Sequence, residues 1–171
     1  MELRQYPDPV LRQKTEAVDT FDKALADLAQ EMIRTMHASA GLGLAATQVG
    51  LTQRVAVIAL DDTPGHETVL VNPELVASSG WAEAEEGCLS FPGIYVKVGR
   101  FTHVRVRYRD LRGEIREMDA EGIPARAVQH ELDHLDGRLL VDRMSPVQHV
   151  AHRRRLRELE ARFERRAAQT P

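Results

Sequence analysis

The nine residues QHELDHLDG (129–137) constrain this chain more than any other stretch. His130 and His134 stand four apart, and Gly137 follows as a helix stop. On an α-helix that spacing puts both imidazoles on one face, one turn apart, where they can share an ion. Glu131 lies slightly round the same helix, better placed to hold a water on the metal than to ligate it. This is the HExxH logic of a metal-dependent hydrolase, with two ligands and a general base on one rigid element. The motif is short, so the competing reading is a surface helix that happens to carry two histidines.

Two ligands do not complete a catalytic site, which needs about three protein ligands and a water. The metzincin continuation HxxGxxH holds through Gly137 and then fails, because Leu140 stands in the place of the third histidine. Asp142, on a different face, is a poor substitute. Upstream, Cys88 sits in EEGCLSFPG, where a glycine and a proline-bounded turn let the backbone present its sulfur. Two imidazoles and a thiolate suit Zn²⁺, Fe²⁺, Co²⁺ or Ni²⁺. A small buried packing residue, or a nucleophile with His130 as base, are the alternatives for Cys88. A third segment, GLGLAATQVG (41–50), lacks the Gly-Lys-Ser/Thr ending of a P-loop. Gly41 and Gly43 instead allow an extended ligand close to the backbone, and the Gln48 amide can donate to a developing oxyanion.

The surrounding chain is ordinary for a soluble domain. Its 171 residues, 43% hydrophobic and 29% charged, suit one globular unit over 1–171 with a sizeable core. The one cysteine rules out an internal disulfide. No apolar run approaches the ~18 residues of a membrane span, and MELRQYPDPVLRQKTE has no secretory h-region, so a cytoplasmic location is expected. Leu25, Leu28, Met32 and Met36 predict an amphipathic helix over 21–38. Residues 54–60 and 68–75 read as strands, the second limited by Pro73. Residues 39–50 read as a loop, and 78–93 as turn material around a strand-length core. The alternation in 104–110, a turn, and 113–119 predict an antiparallel hairpin. Helices follow over 123–137, with Pro124 in the first turn, and from Pro146 to the end. The order predicts an α+β fold, with mainly antiparallel sheets packed around a central HExxH helix and a C-terminal helix.

Three blocks, GLGLAATQ (41–48), EGCLS (86–90) and QHELDHL (129–135), occur in order, and together they resemble the bacterial peptide deformylases. The similarity extends from PDPVLR to LLVDRMSP and the basic tail, nearly the whole chain. The resemblance implies one divalent ion, Fe²⁺ with Zn²⁺, Ni²⁺ or Co²⁺ as substitutes, on Cys88, His130 and His134. It implies that water on the metal attacks the formyl carbon of an N-formylmethionyl nascent peptide. Glu131 would be the general base, formate would be released, and the oxyanion would be held by Gln48, the Leu89 N–H and the metal. The peptide would pair as an extra strand near Leu42, Gly43 and Gly87. Leu42, Ile123 and Ala127 would line the methionine pocket.

Ala40 and Tyr95 stand where some members carry an acidic and a basic residue, and Arg126 borders the pocket. These departures touch the peptide rim and leave the chemistry intact. The segment 151–171 carries seven arginines against three glutamates, a surplus of four positive charges. Val147, Val150, Leu156, Leu159 and Phe163 offer a packing stripe for this helix. The resemblance adds ribosome contact through Arg153–Arg155 and Arg165–Arg166. A monomer, with no membrane and no DNA partner, is expected. His37, His66, His103, His149 and His152 lack metal spacing. The competing functions are an HExxH peptidase and a silent ribosome-associated binding module.

Overall fold

The computed structural model describes residues 1–169 apart from Asp62 and Pro64. Its sheet core begins with RVAVIAL. Four consecutive buried residues, Val55–Ile58, mean that this strand has no solvent face. Val55 and Val57 pack on the first helix, while Ile58 packs on the second. A continuous apolar run, rather than an alternating one, is what a strand covered on both faces requires.

That strand is β2 (Val55–Ala59), second in a five-stranded antiparallel sheet with β1 (Gly43–Ala45), β3 (Glu67–Ser79), β6 (His103–Arg109) and β7 (Ile115–Glu121), in the order β1-β2-β3-β6-β7. A separate two-stranded sheet pairs β4 (Ala82–Gly87) with β5 (Tyr95–Arg100). Helix α1 (Lys23–Ala38) is capped by the Asp22 side chain, which accepts from Leu25 N–H at 3.0 Å. It buries Leu25, Met32 and Met36 of the predicted stripe together with Ala29, while Leu28 is only partly buried against the same core. Helix α2 (Gly122–Leu135) lays Ala125 and Val128 against Ile58, Leu70, Val104 and Val106 of the sheet. It ends where expected: Gly137 has φ +73°, and a Cβ there would lie 2.5 Å from the Arg12 carbonyl oxygen. The α+β architecture and the mainly antiparallel sheets around α2 are as the sequence predicts, as is the β6–β7 hairpin.

Helix α3 (Pro146–Ala167) closes a second core. Leu156 and Leu159 pack on Phe91, Ile94, Val96 and Val98. Val147 and Val150 do not share this stripe; both are exposed, because they lie nine residues, half a turn round the helix, from Leu156 and Leu159 respectively. Thr170 and Pro171, within the predicted final helix, lie outside the described residues.

Two strand expectations change. Pro73 does not limit β3, which runs on to Ser79. The register shifts between Val71 and Glu74 and again between Leu75 and Ala77, and Asn72 takes φ +52°, so irregular pairing absorbs the proline. The Asn72 side chain bonds both the N–H and the carbonyl of Val18, at 2.8 and 2.7 Å. The segment 39–50 is not all loop: Gly43–Ala45 form the edge strand β1, and Ala46–Val49 a 3-10 turn. No helix among the described residues is long and apolar enough to cross a membrane.

Candidate active site

A cleft of about 840 Å³ lies between the edge strand β1 and strand β4, with α2 as its floor. His130 and His134 project from α2, with ring centroids 4.9 Å apart. Cys88, just past the end of β4, brings its Sγ to 3.2 Å from His134 Nε2. One donor atom from each of Cys88, His130 and His134 lies within 4.8 Å of the other two. A thiolate and two imidazoles at such separations would fit one borderline-soft divalent ion.

The supports of this cluster are what the sequence reading missed. Glu86 Oε2 faces His130 Nδ1 at 3.3 Å, which orients the ring and turns its Nε2 to the cluster. The other Glu86 oxygen accepts from Arg100 Nε at 3.0 Å, and Arg100 also donates to Asp133 at 2.6 Å. Arg143 donates to Asp133 from outside, at 2.9 Å. Arg100 and Glu86 are almost fully buried. Burial opposes the charge on Glu86, but His130 and Arg100 overcome it and hold the carboxyl down at about 2. Burial likewise works against a charge on His130, yet Cys88 and Glu86 lift its pKa well above the usual imidazole value. His134 goes the other way, lowered by burial and by His130 beside it. The block EGCLS contained Glu86, but nothing local marked Arg100, which lies 14 residues from Glu86 and 33 from Asp133.

Glu131 is buried next to the cluster, and its Oε2 has no hydrogen-bond partner among the described residues. Burial pushes its pKa up to about 7. A buried carboxylate oxygen without a partner is rare and signals a group that works on something else. Gly43 makes room for it: a Cβ at that position would lie 2.4 Å from Glu131 Oε1. This close contact of Gly43 is with a side chain of α2, a role the sequence reading did not anticipate. Gln48 is buried in the 3-10 turn after β1. Its Oε1 accepts from Ala45 N–H at 2.9 Å, which aims Nε2 at Ser90 Oγ (3.3 Å) and Cys88 Sγ (3.6 Å). The Leu89 N–H donates to nothing among the described residues. Leu42, Gly43, Gly87, Ile123 and Ala127 all line the cleft, as do Leu89 and Arg126. The remaining candidates are elsewhere: Asp142 accepts from Leu139 N–H at 2.8 Å and pairs with Arg12, while His37, His66 and His103 face Glu67, Asp61 and Glu121.

Residues 1–150 match the family model described as polypeptide deformylase. The chain belongs to the polypeptide deformylase family. The peptide deformylase of Thermotoga neapolitana is 45% identical over 92% of this chain and 94% of its own length. That of Nitrosococcus oceani is 40% identical over 98% of both. Among solved structures, Arabidopsis thaliana peptide deformylase 1B superposes with a TM-score of 0.94 at 41% identity, covering 98% of this chain and 94% of that one. The Legionella pneumophila deformylase superposes at 0.87 with 40% identity, covering 99% and 98%. The chain is thus a hydrolase of a metal-dependent family whose activity is removal of the formyl group from nascent peptides.

Proposed function

We propose that this chain removes the formyl group from N-formylmethionyl peptides by hydrolysis, releasing formate, with Glu131 as general base. The observation that carries the reading is the buried, unpartnered Glu131 oxygen beside the Cys88–His130–His134 cluster. A divalent ion on those three donors, Fe²⁺ in our reading, supplies Lewis acidity that makes water nucleophilic near neutral pH. Glu131 takes the proton from the attacking water and hands it to the leaving amine, which becomes a free methionine N-terminus. Gln48 Nε2 and the Leu89 N–H donate to the oxyanion; Gln48 is preset for this by its own bond to Ala45. The substrate backbone lies extended against β1 near Leu42 and Gly43 and against Gly87 of β4 as an added strand. Leu42, Ile123 and Ala127 receive the methionine side chain.

Location in the cytoplasm and a monomeric state belong to the same reading. So does ribosome contact through Arg153, Arg154 and Arg165 of α3, all exposed. Arg155 is partly committed, donating to the Pro92 carbonyl at 3.1 Å.

The test is formate release from a formyl-methionyl tripeptide by protein prepared without oxygen, beside Glu131→Gln. Loss of on the order of 10²–10⁴-fold in kcat is expected for a missing general base. Undiminished release by the variant would remove Glu131 from this role. In the parent, kcat/KM should fall on the acid side as Glu131 takes up a proton and ceases to act as a base.

A further inference from the structure

We propose that Arg126 sets the size of the pocket for the first side chain of the substrate, by tying α2 to β4 and β5. The inference rests on the reading of the cleft given above. Arg126 lies four residues before His130, so its side chain leaves α2 on the same face, one turn away. Across the cleft, period-two alternation puts Ala82, Ala84 and Glu86 on one face of β4. Glu86 is buried against α2, so Ala84 faces the helix too. Arg126 crosses this gap. One terminal nitrogen donates to Glu86 Oε1 at 2.7 Å and to the Val98 carbonyl at 2.8 Å; the other donates to the Ala82 carbonyl at 2.9 Å.

These three anchors surround one residue. Ala82 and Glu86 flank Ala84 along β4, and Val98 is its cross-strand partner on β5. Ala84 and Ala127, which line the cleft beside it, offer only methyl groups. Its guanidinium is spent on a carboxylate and two carbonyls, and its side chain is only 16% exposed. What it offers the substrate is therefore an aliphatic stem, held rigid, that narrows the cleft beside Ala84 and Ala127. The planar fork makes bonds in several directions at once, which a lysine ammonium on a flexible stem does not reproduce. Residue 126 is thus a positioning and specificity residue that leaves the chemistry to its neighbours.

Arg126 also touches Glu86, which touches His130, so its loss alters the chemical step for every substrate alike. A ratio between substrates cancels that common change. The experiment compares kcat/KM for formyl-methionyl and formyl-phenylalanyl tripeptides that are otherwise identical. Arg126→Ala should raise the phenylalanyl-to-methionyl ratio by roughly tenfold or more, the scale on which apolar pockets discriminate size. Arg126→Lys should return the ratio partway to that of the parent. Ala84→Val breaks none of the three bonds and should move the ratio the opposite way, so it carries the test if Arg126→Ala does not fold. An unchanged ratio, in a parent that releases formate from both peptides, overturns the role of Arg126 alone. No formate from any formyl peptide with the parent overturns the reading of the cleft, and this inference with it.

Discussion

Two groups of arginine–carboxylate pairs in this molecule use the same chemistry in opposite surroundings. Behind the active site, Arg100 bridges Glu86 and Asp133 with a side chain only 4% exposed. On the outer face of the β6–β7 hairpin, Arg105 meets Asp119 and Arg107 meets Glu117 and Glu74, with the arginines about half exposed. The hydrogen-bond lengths are alike, 2.6–3.0 Å inside and 2.8–3.1 Å outside. Water makes the difference. Outside, each ion keeps most of its hydration and loses little when its partner goes. Inside, removing Arg100 leaves two buried carboxylates with only their outer partners, Arg126 on Glu86 and Arg143 on Asp133. The inner group also ends on His130, so its geometry is passed to a site residue.

The largest effect should come from Arg100→Ala, which removes the buried cation between Glu86 and Asp133. A cost of about 3–5 kcal/mol is expected, which for a chain of this size lowers the melting temperature by on the order of 10 °C. A loss no greater than that of a surface pair would break the comparison. Next is the acid limb of stability. Glu86 sits at about 2 instead of 4.5, so its stabilisation is present above pH 4.5 and lost as pH falls from there toward 2. The shift corresponds to ~3 kcal/mol. Thermal melts of Glu86→Gln should therefore flatten that acid limb and start from a lower plateau at pH 7.

Glu131 sharpens the contrast, because it is a buried carboxyl without a cationic partner. Its pKa is raised to about 7, so it stabilises nothing when ionised and costs stability as pH rises toward and above that value. In protein stripped of metal by a chelator, Glu131→Gln should melt higher than the parent at pH 8, with the gap closing by pH 5. A parent that melts higher at pH 8 would contradict the burial argument. The smallest effect belongs to Arg107→Ala on the hairpin: ~0.2–1 kcal/mol for exposed pairs, shrinking further in high salt. A salt-insensitive loss would show that the outer ladder is not a surface feature energetically.

Helices and strands whose signal is periodic were legible from the residues alone. Leu25, Met32 and Met36 marked α1, alternation marked β6, and the apolar run Val55–Ile58 marked β2. Of the strands that escaped, β1 is short and β3 is interrupted, while β5 alternates regularly and was simply not read as a strand. Gly43–Ala45 is a strand only because β2 supplies its hydrogen bonds, and Pro73 is tolerated only because Asn72 and the register shifts rearrange the ladder around it. The site divides in the same way. His130, Glu131 and His134 share a face because an α-helix turns every 3.6 residues, a relation wholly contained in consecutive positions.

Cys88 reaches His134 across 46 residues, and Arg100 meets Asp133 across 33. Those distances follow from how β4 and β5 pack on α2, and no local pattern encodes them. The sequence by itself determined which residue types could hold an ion and which segments would be helical or extended, because propensity and periodicity act between near neighbours. The tertiary structure decided which carboxylates are buried, which guanidinium compensates them, and that Arg126 spans the cleft, because burial and charge compensation depend on residues that meet only once the chain has folded.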